Sequence, residues 1–282
     1  GGAANGAGEK LVAWAWKAGG APIATNTASA GAAPTPGSVM IDGVASTANL
    51  AGSIAAKKIS ANTAAGFSIV SFTNGSSGTS TISHGLSSAP ELILMKQTDG
   101  TSNWVVYSEA GGAGKTLVLN ATFHFSADNA SVQWGSVPTS SLFTVTNNSS
   151  LTNGSKPHIA YCFHSVDGFS KIGSYTANNS ANGPFVYTGF KPSFVLLKHA
   201  SGSAYSSSDH WWVFDNSRDS FATTLTTLAI GSTEAQNGIK DGGAIDSYDI
   251  SFLSLKAGET NIDINVSWLN PEKIRKIIII GS

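Results

Sequence analysis

The residues best placed to do chemistry are a thiol and two imidazoles. Cys162 has His158 and His164 at strand spacing, so alternation puts all three on one face of a single strand. A Cys/His nucleophile pair also needs a third group to orient the imidazole; no such group is visible, and the row reads as packed side chains. Glycoside hydrolysis needs two facing carboxylates. Asp209 and Asp215 sit at opposite ends of one strand, about 20 Å apart at strand rise. Asp215 to Asp219 reads as a turn with an Asx cap and a local ion pair. The remaining histidines, His84, His124, His199 and His210, show neither His-x-x-x-His nor His-Glu-x-x-His spacing, so no metal site is expected. Gly111-Gly112-Ala113-Gly114-Lys115-Thr116 has the composition of a phosphate loop. Glu109 stands where the first glycine belongs, and no helix pattern follows, so it is rejected. No catalytic residue, metal or cofactor is expected.

Aromatic side chains are the other candidates. Trp104 and Trp211 occupy equivalent positions of an internal repeat, which favours a core role for both. Trp212 replaces Val105 on the opposite face, beside the loop of residues 199–209 that carries Tyr205 and ends at Asp209. Tyr205, Asp209 and Trp212 therefore form a candidate ligand site, because an aromatic face suits the C–H side of a sugar ring. The alternative for Trp212 is packing against a second layer or another subunit.

The elements that must carry these residues are short and alternate at period two. Phe67 to Phe72, Glu91 to Lys96, Asn103 to Tyr107, Leu142 to Val145, His158 to Phe163 and Ser193 to Lys198 read as strands between Gly, Ser, Asn and Pro clusters. Val44 to Lys58 is rich in alanine, but Gly52 and β-branched residues limit any helix there to about two turns. The fold class is all-β.

Gly66-Phe67-Ser68 recurs as Gly168-Phe169-Ser170, and Ala89 to Lys96 is answered by Lys191 to Lys198 at the same offset. Asn103 to Tyr107 is answered by His210 to Phe214, five residues further on. Each copy closes on an aromatic strand, Ile159 to Phe163 and Ile264 to Trp268, and Leu11 to Trp16 has the same form. Two tandem β-sandwich-like repeats of about 100 residues follow from this, with an N-terminal remnant of a preceding repeat. The expected division is 1–17 as that remnant, 18–65 as a Gly/Ala/Thr-rich linker or arm, 66–167 and 168–272 as the repeats, and 273–282 as an apolar strand. Ile277, Ile278, Ile279 and Ile280 are apolar on both faces of that strand, so it must be covered, either within its own domain or between subunits.

Composition narrows the partners. Charged residues are 12%, about half the usual share, and the net charge is −1, so no basic field is present for nucleic acid. No apolar run reaches membrane-span length. The first residues lack the basic-then-apolar order of a secretory signal, and without an initiator Met they read as an interior start. A neutral hydroxyl- and amide-rich surface suits an extracellular particle in saline medium.

Ile82-Ser83-His84-Gly85-Leu86, Ala89 to Ile93, Asn103 to Tyr107, Ile159 to Lys171, Gly173 to Thr176 and above all Gly183 to Pro192 resemble a domain of unknown function in tail-fibre and other structural proteins of marine, cyanophage-like bacteriophages. The resemblance covers most of residues 9–270. It implies a non-enzymatic virion protein: a tail fibre, tail-associated adhesin or capsid-attached fibre that self-assembles, as a trimer by analogy with fibres, and presents loops to a host surface. Its partners would be its own copies, other virion proteins and a host surface glycan. A carbohydrate-binding module is the alternative, and a polysaccharide depolymerase stands third.

Overall fold

The computed structural model describes residues 13–122, 125, 134–147, 152–176, 185–190, 192–200, 210–215, 228–230, 261–263 and 277–279. Seventeen strands and no helix occur among them. The first ten are β1 (Val39–Ile41), β2 (Val44–Ala45), β3 (Lys58–Asn62), β4 (Phe67–Thr73), β5 (Thr79–Ser83), β6 (Leu92–Gln97), β7 (Val105–Ser108), β8 (Leu117–Val118), β9 (Leu142–Thr146) and β10 (Pro157–Phe163). The rest are β11 (Lys171–Ile172), β12 (Phe185–Tyr187), β13 (Phe194–Lys198), β14 (Trp211–Asp215), β15 (Leu228–Ile230), β16 (Asn261–Asp263) and β17 (Ile277–Ile279).

They form an eight-stranded sheet in the order β2-β1-β3-β4-β10-β6-β7-β8 and a five-stranded sheet in the order β11-β17-β13-β14-β15. Two ribbons, β5-β9 and β12-β16, complete the set. All pairings are antiparallel except β1 with β3.

Both faces of the large sheet carry apolar residues that pack against other elements. Val70 and Phe72 of β4, Ile93 and Met95 of β6 and Ala160 and Cys162 of β10 point to one side. There Ile82, Phe143 and Val145 of the β5-β9 ribbon and the fully buried Trp134 close the first core. Phe67, Leu92, Val106 and Phe163 point to the other side and meet Leu196, Trp211 and Val213 of the five-stranded sheet in a second core. A period-two strand serves two cores in this way, one with each set of alternate residues.

The segment expected to be a linker or arm, 18–65, is instead docked and partly woven into the sheet as β1, β2 and β3. Val39, Leu50 and Ile59 of this segment are buried in the first core, and residues 18–37, which hold almost no large apolar residue, are fixed by a buried amide. Asn26 Nδ2 donates to Ala56 O at 3.0 Å, while its Oδ1 accepts from Ala28 N and Thr35 N, both at 3.0 Å. A side chain with several backbone partners fixes a loop much as a buried apolar residue does. Val44 to Lys58 forms no helical turn; it holds β2 and an isolated bridge from Gly52 to Ile82.

Ile277–Ile279 lies between β11 and β13, hydrogen-bonded along both edges within its own chain. Ile280 and the strand Ile264 to Trp268 lie outside the described residues.

Candidate functional site

The three groups on β10 do not assemble a nucleophile. Cys162 is fully buried in the first core, and burial pushes its thiol up to about 12, opposed slightly by Ser68 on the neighbouring strand. His158 stacks on Phe72 with ring centroids 5.5 Å apart and donates through Nδ1 to Lys156 O at 2.9 Å. Burial holds its pKa below the ordinary value. His164 lies past the strand end and donates from Nδ1 to Ser165 O at 2.7 Å. The expected row is therefore cut short: His158 and Cys162 share one face of β10, packed inward, and His164 falls beyond the strand.

His84 is a strongly perturbed imidazole. Its Nδ1 accepts from Leu86 N at 3.1 Å, which leaves Nε2–H to donate to Thr139 O at 3.1 Å. Burial lowers its pKa to about 4, the Thr139 carbonyl opposes this, and the neighbouring His164 adds to the lowering. Glu91 takes a different part: its Oε2 accepts from Ser165 Oγ at 2.5 Å and from Ser165 N at 3.0 Å. Ser165 Oγ in turn accepts from Ile172 N at 2.9 Å, so this carboxylate ties the start of β6 to β11. Among the described residues no group of three His, Cys, Asp or Glu side chains is placed to hold a metal.

Tyr205 and Asp209 lie outside the described residues. Trp212 is only 6% exposed and turns away from the second core, with His210 edge-on to its ring at 6.3 Å. It therefore presents no open ring face. Asp215 is buried at the end of β14, opposite Phe194. Gly111 to Thr116 is the turn between β7 and β8.

The open aromatic surface lies elsewhere. The five-stranded sheet covers only part of the second face of the large sheet. Successive cross-strand rows along that face show the change. Phe67, Phe163 and Leu92 form a buried row; Ile69, Tyr161 and Leu94 form a half-buried one; Lys58, Ser71, Ile159 and Lys96 form a more polar one, in which Lys58 is exposed and the other three are half-buried. Two cavities, of about 420 and 450 Å³, lie along the last two rows and share Ile69. The first is lined by Trp14, Trp16, Trp104, Tyr161 and Phe194 among others, the second by Ala18, Gly20, Ala21 and Pro22 with Lys58, Ser60, Ser71 and Ile159.

Trp104 thus departs from the core role expected for it. Trp211 is fully buried, whereas Trp104 stands half exposed at the cavity edge, stacked on Tyr161 at 6.1 Å. Trp14 and Trp16 line the cavity from an N-terminal strap that crosses the sheet. Both meet Phe194 edge-on at 5.7 Å, and Trp16 also meets Phe163 at 6.2 Å. The strap is fastened by backbone contacts: Asn62 Nδ2 donates to Lys17 O, Ser60 Oγ to Gly20 O and Gly43 N to Gly19 O. The sequence signal for this site is the alternation Trp14, Trp16, Ala18, which reads as a strand tail and not as a cavity wall.

A family described as a domain of unknown function, DUF7483, matches residues 41–267. The chain belongs to that family. No curated protein and no solved structure matches it. The DUF7483 match takes in the floor of the aromatic cavities, Ile69, Leu94, Trp104 and Tyr161, while Trp14 and Trp16 precede it.

Proposed function

We propose that the chain is a non-enzymatic structural module of a phage particle, in which two copies of one β unit close on each other face to face. One observation carries the architectural part: the order β4-β10-β6-β7-β8 is matched by β11-β17-β13-β14-β15, and the ribbon β5-β9 by β12-β16. Residues 102 apart, Leu92 with Phe194 and Leu94 with Leu196, enter the same core from opposite sheets. This is the logic of an isologous contact, in which one apolar face covers its own counterpart. In this reading Ile277–Ile279 is the counterpart of β10, and the closing strand of the second unit is this run and not Ile264 to Trp268.

The particle assignment rests on the resemblance to tail-fibre and structural proteins of marine phages, and is supported by the low charge and the hydroxyl-rich surface. Self-association, drawn at Ile277 to Ile280 from sequence, then uses a sheet face or a loop, because both edges of β17 are occupied. Antibody labelling of purified particles tests the reading. Signal on tail or capsid is expected; particles that lack the chain would overturn it. Native mass spectrometry reads the copy number, and a trimer is the expected result.

A further inference from the structure

We infer that the groove running across the large sheet from Lys58 to Trp104 binds an anionic polysaccharide, a sugar polymer carrying carboxylate or sulfate groups. The inference does not depend on where the protein resides.

Three features of the groove converge on that ligand. Its floor crosses β3, β4, β10 and β6 at right angles to the strands, and at about 4.8 Å per strand the Cα atoms of Lys58 and Lys96 lie about 14 Å apart. That span fits an extended chain laid across the strands better than a single small molecule. The aromatic end offers Trp104 and Tyr161, half exposed and stacked on each other, with Trp14 and Trp16 beyond them. Ring surfaces of this kind pack against the C–H faces of pyranose rings.

Charge supplies the third. Lys58, exposed and lining the second cavity, and Lys96, half-buried beyond its edge, stand on the same cross-strand row with Ser71 and Ile159 between them. No Asp or Glu occurs among the described residues lining either cavity. Asp99, on the loop after β6, is already engaged by Gln97 Nε2 at 2.7 Å and Lys156 Nζ at 3.5 Å. Lys96 Nζ donates one of its three hydrogens to Gly100 O at 3.0 Å, which leaves it able to donate to an anion. Amides flank Trp104: its N–H donates to Asn120 Oδ1 at 2.9 Å, and Asn120 Nδ2 donates to Asn103 Oδ1 at 2.9 Å. Two ammonium groups with no ion-pair partner among the described residues make a wholly apolar occupant, such as the bare face of a second copy, a poor match, since burying them would strand both charges.

Titration of the full chain with polygalacturonate and with dextran sulfate, against neutral dextran, tests this by calorimetry and tryptophan fluorescence. Binding of a charged polymer is expected, with loss of affinity as salt rises from 50 to 500 mM, conditions chosen to span strong screening. K58Q/K96Q should weaken it about tenfold while leaving the circular dichroism spectrum unchanged, since Lys58 is exposed and Lys96 bonds only a loop carbonyl, which a glutamine amide can also reach. Trp104→Ala should weaken it by a similar factor. Absence of binding to both charged polymers overturns the inference, as does binding that neither variant changes. A wild-type dimer that Trp104→Ala dissociates, with no polymer bound by either protein, would assign the groove to a second copy and overturn it equally.

Discussion

His84 is held neutral by two contacts at once, a backbone N–H aimed at Nδ1 and a carbonyl that takes the proton on Nε2. Protonation would put a second hydrogen against the Leu86 N–H inside the protein. Because the folded pKa is about 4 and the unfolded one 6.5, the folded chain binds fewer protons between those values. The stabilisation is complete above pH 6.5 and is lost as pH falls through 4; a shift of that size corresponds to roughly 3 kcal/mol. His158, also lowered, works in the same direction. Urea unfolding at pH 7 and pH 4.5 checks this: His84→Gln should show a smaller difference between the two pH values than the parent. An equal difference would remove His84 from the account. Cys162 gives a second test. Its buried thiol, pushed up to about 12, should not react with an aromatic disulfide reagent at pH 8 until denaturant is added. His158 and Cys162 were legible in the sequence as one face of a strand, yet their burial was not, because the residues that cover them, such as Phe143 and Val145, lie on the separate β5-β9 ribbon.

Among the elements, the N-terminal strap depends on a backbone contact that only glycine permits. A Cβ on Gly19 would lie 1.8 Å from Ala61 O, inside any van der Waals limit. Gly19→Ala should therefore lift the strap from β3, at a cost of about 1–3 kcal/mol. The expected signs are a red-shifted tryptophan emission, as Trp14 and Trp16 become wetter, and faster tryptic cleavage after Lys17. Unchanged emission and cleavage would mean that the strap docks by its aromatics alone. Strand positions were legible because period-two alternation is a local property. The 18–65 segment reads as an arm because residues 18–37 carry almost no large apolar side chain; its ordering comes from Asn26, from strand pairing, and from Val39, Leu50 and Ile59, which the tertiary fold buries in the first core. Trp104 was misjudged for a related reason. Its repeat position matches that of Trp211, but Trp211 is fully covered by the large sheet, whereas Trp104 lies where the second sheet leaves the large one partly uncovered.

At the scale of the molecule, the two sheets share one core and are fastened by a buried hydrogen bond, Trp211 Nε1–H to Val118 O at 2.9 Å. Lys198 Nζ adds a second link by donating to Thr122 O at 2.8 Å. A shared core makes the sheets unfold together, so calorimetry should show one transition. Trp211→Ala removes a fully buried ring and should cost about 3–5 kcal/mol, lowering that single transition without splitting it. Two separate transitions in the parent protein would show the sheets to be independent.

The amino-acid sequence by itself determined the all-β class, the strand positions and the 102-residue echo, because alternation and turn chemistry act between near neighbours. Tertiary structure decided how the apolar faces are shared. It set Phe67, Leu92 and Phe163 beneath the second sheet, kept Ile69, Tyr161 and Trp104 half open, and threaded the isoleucine run between β11 and β13. Alternation says that a face must be covered; it carries no information on which distant strand covers it, or where that cover stops.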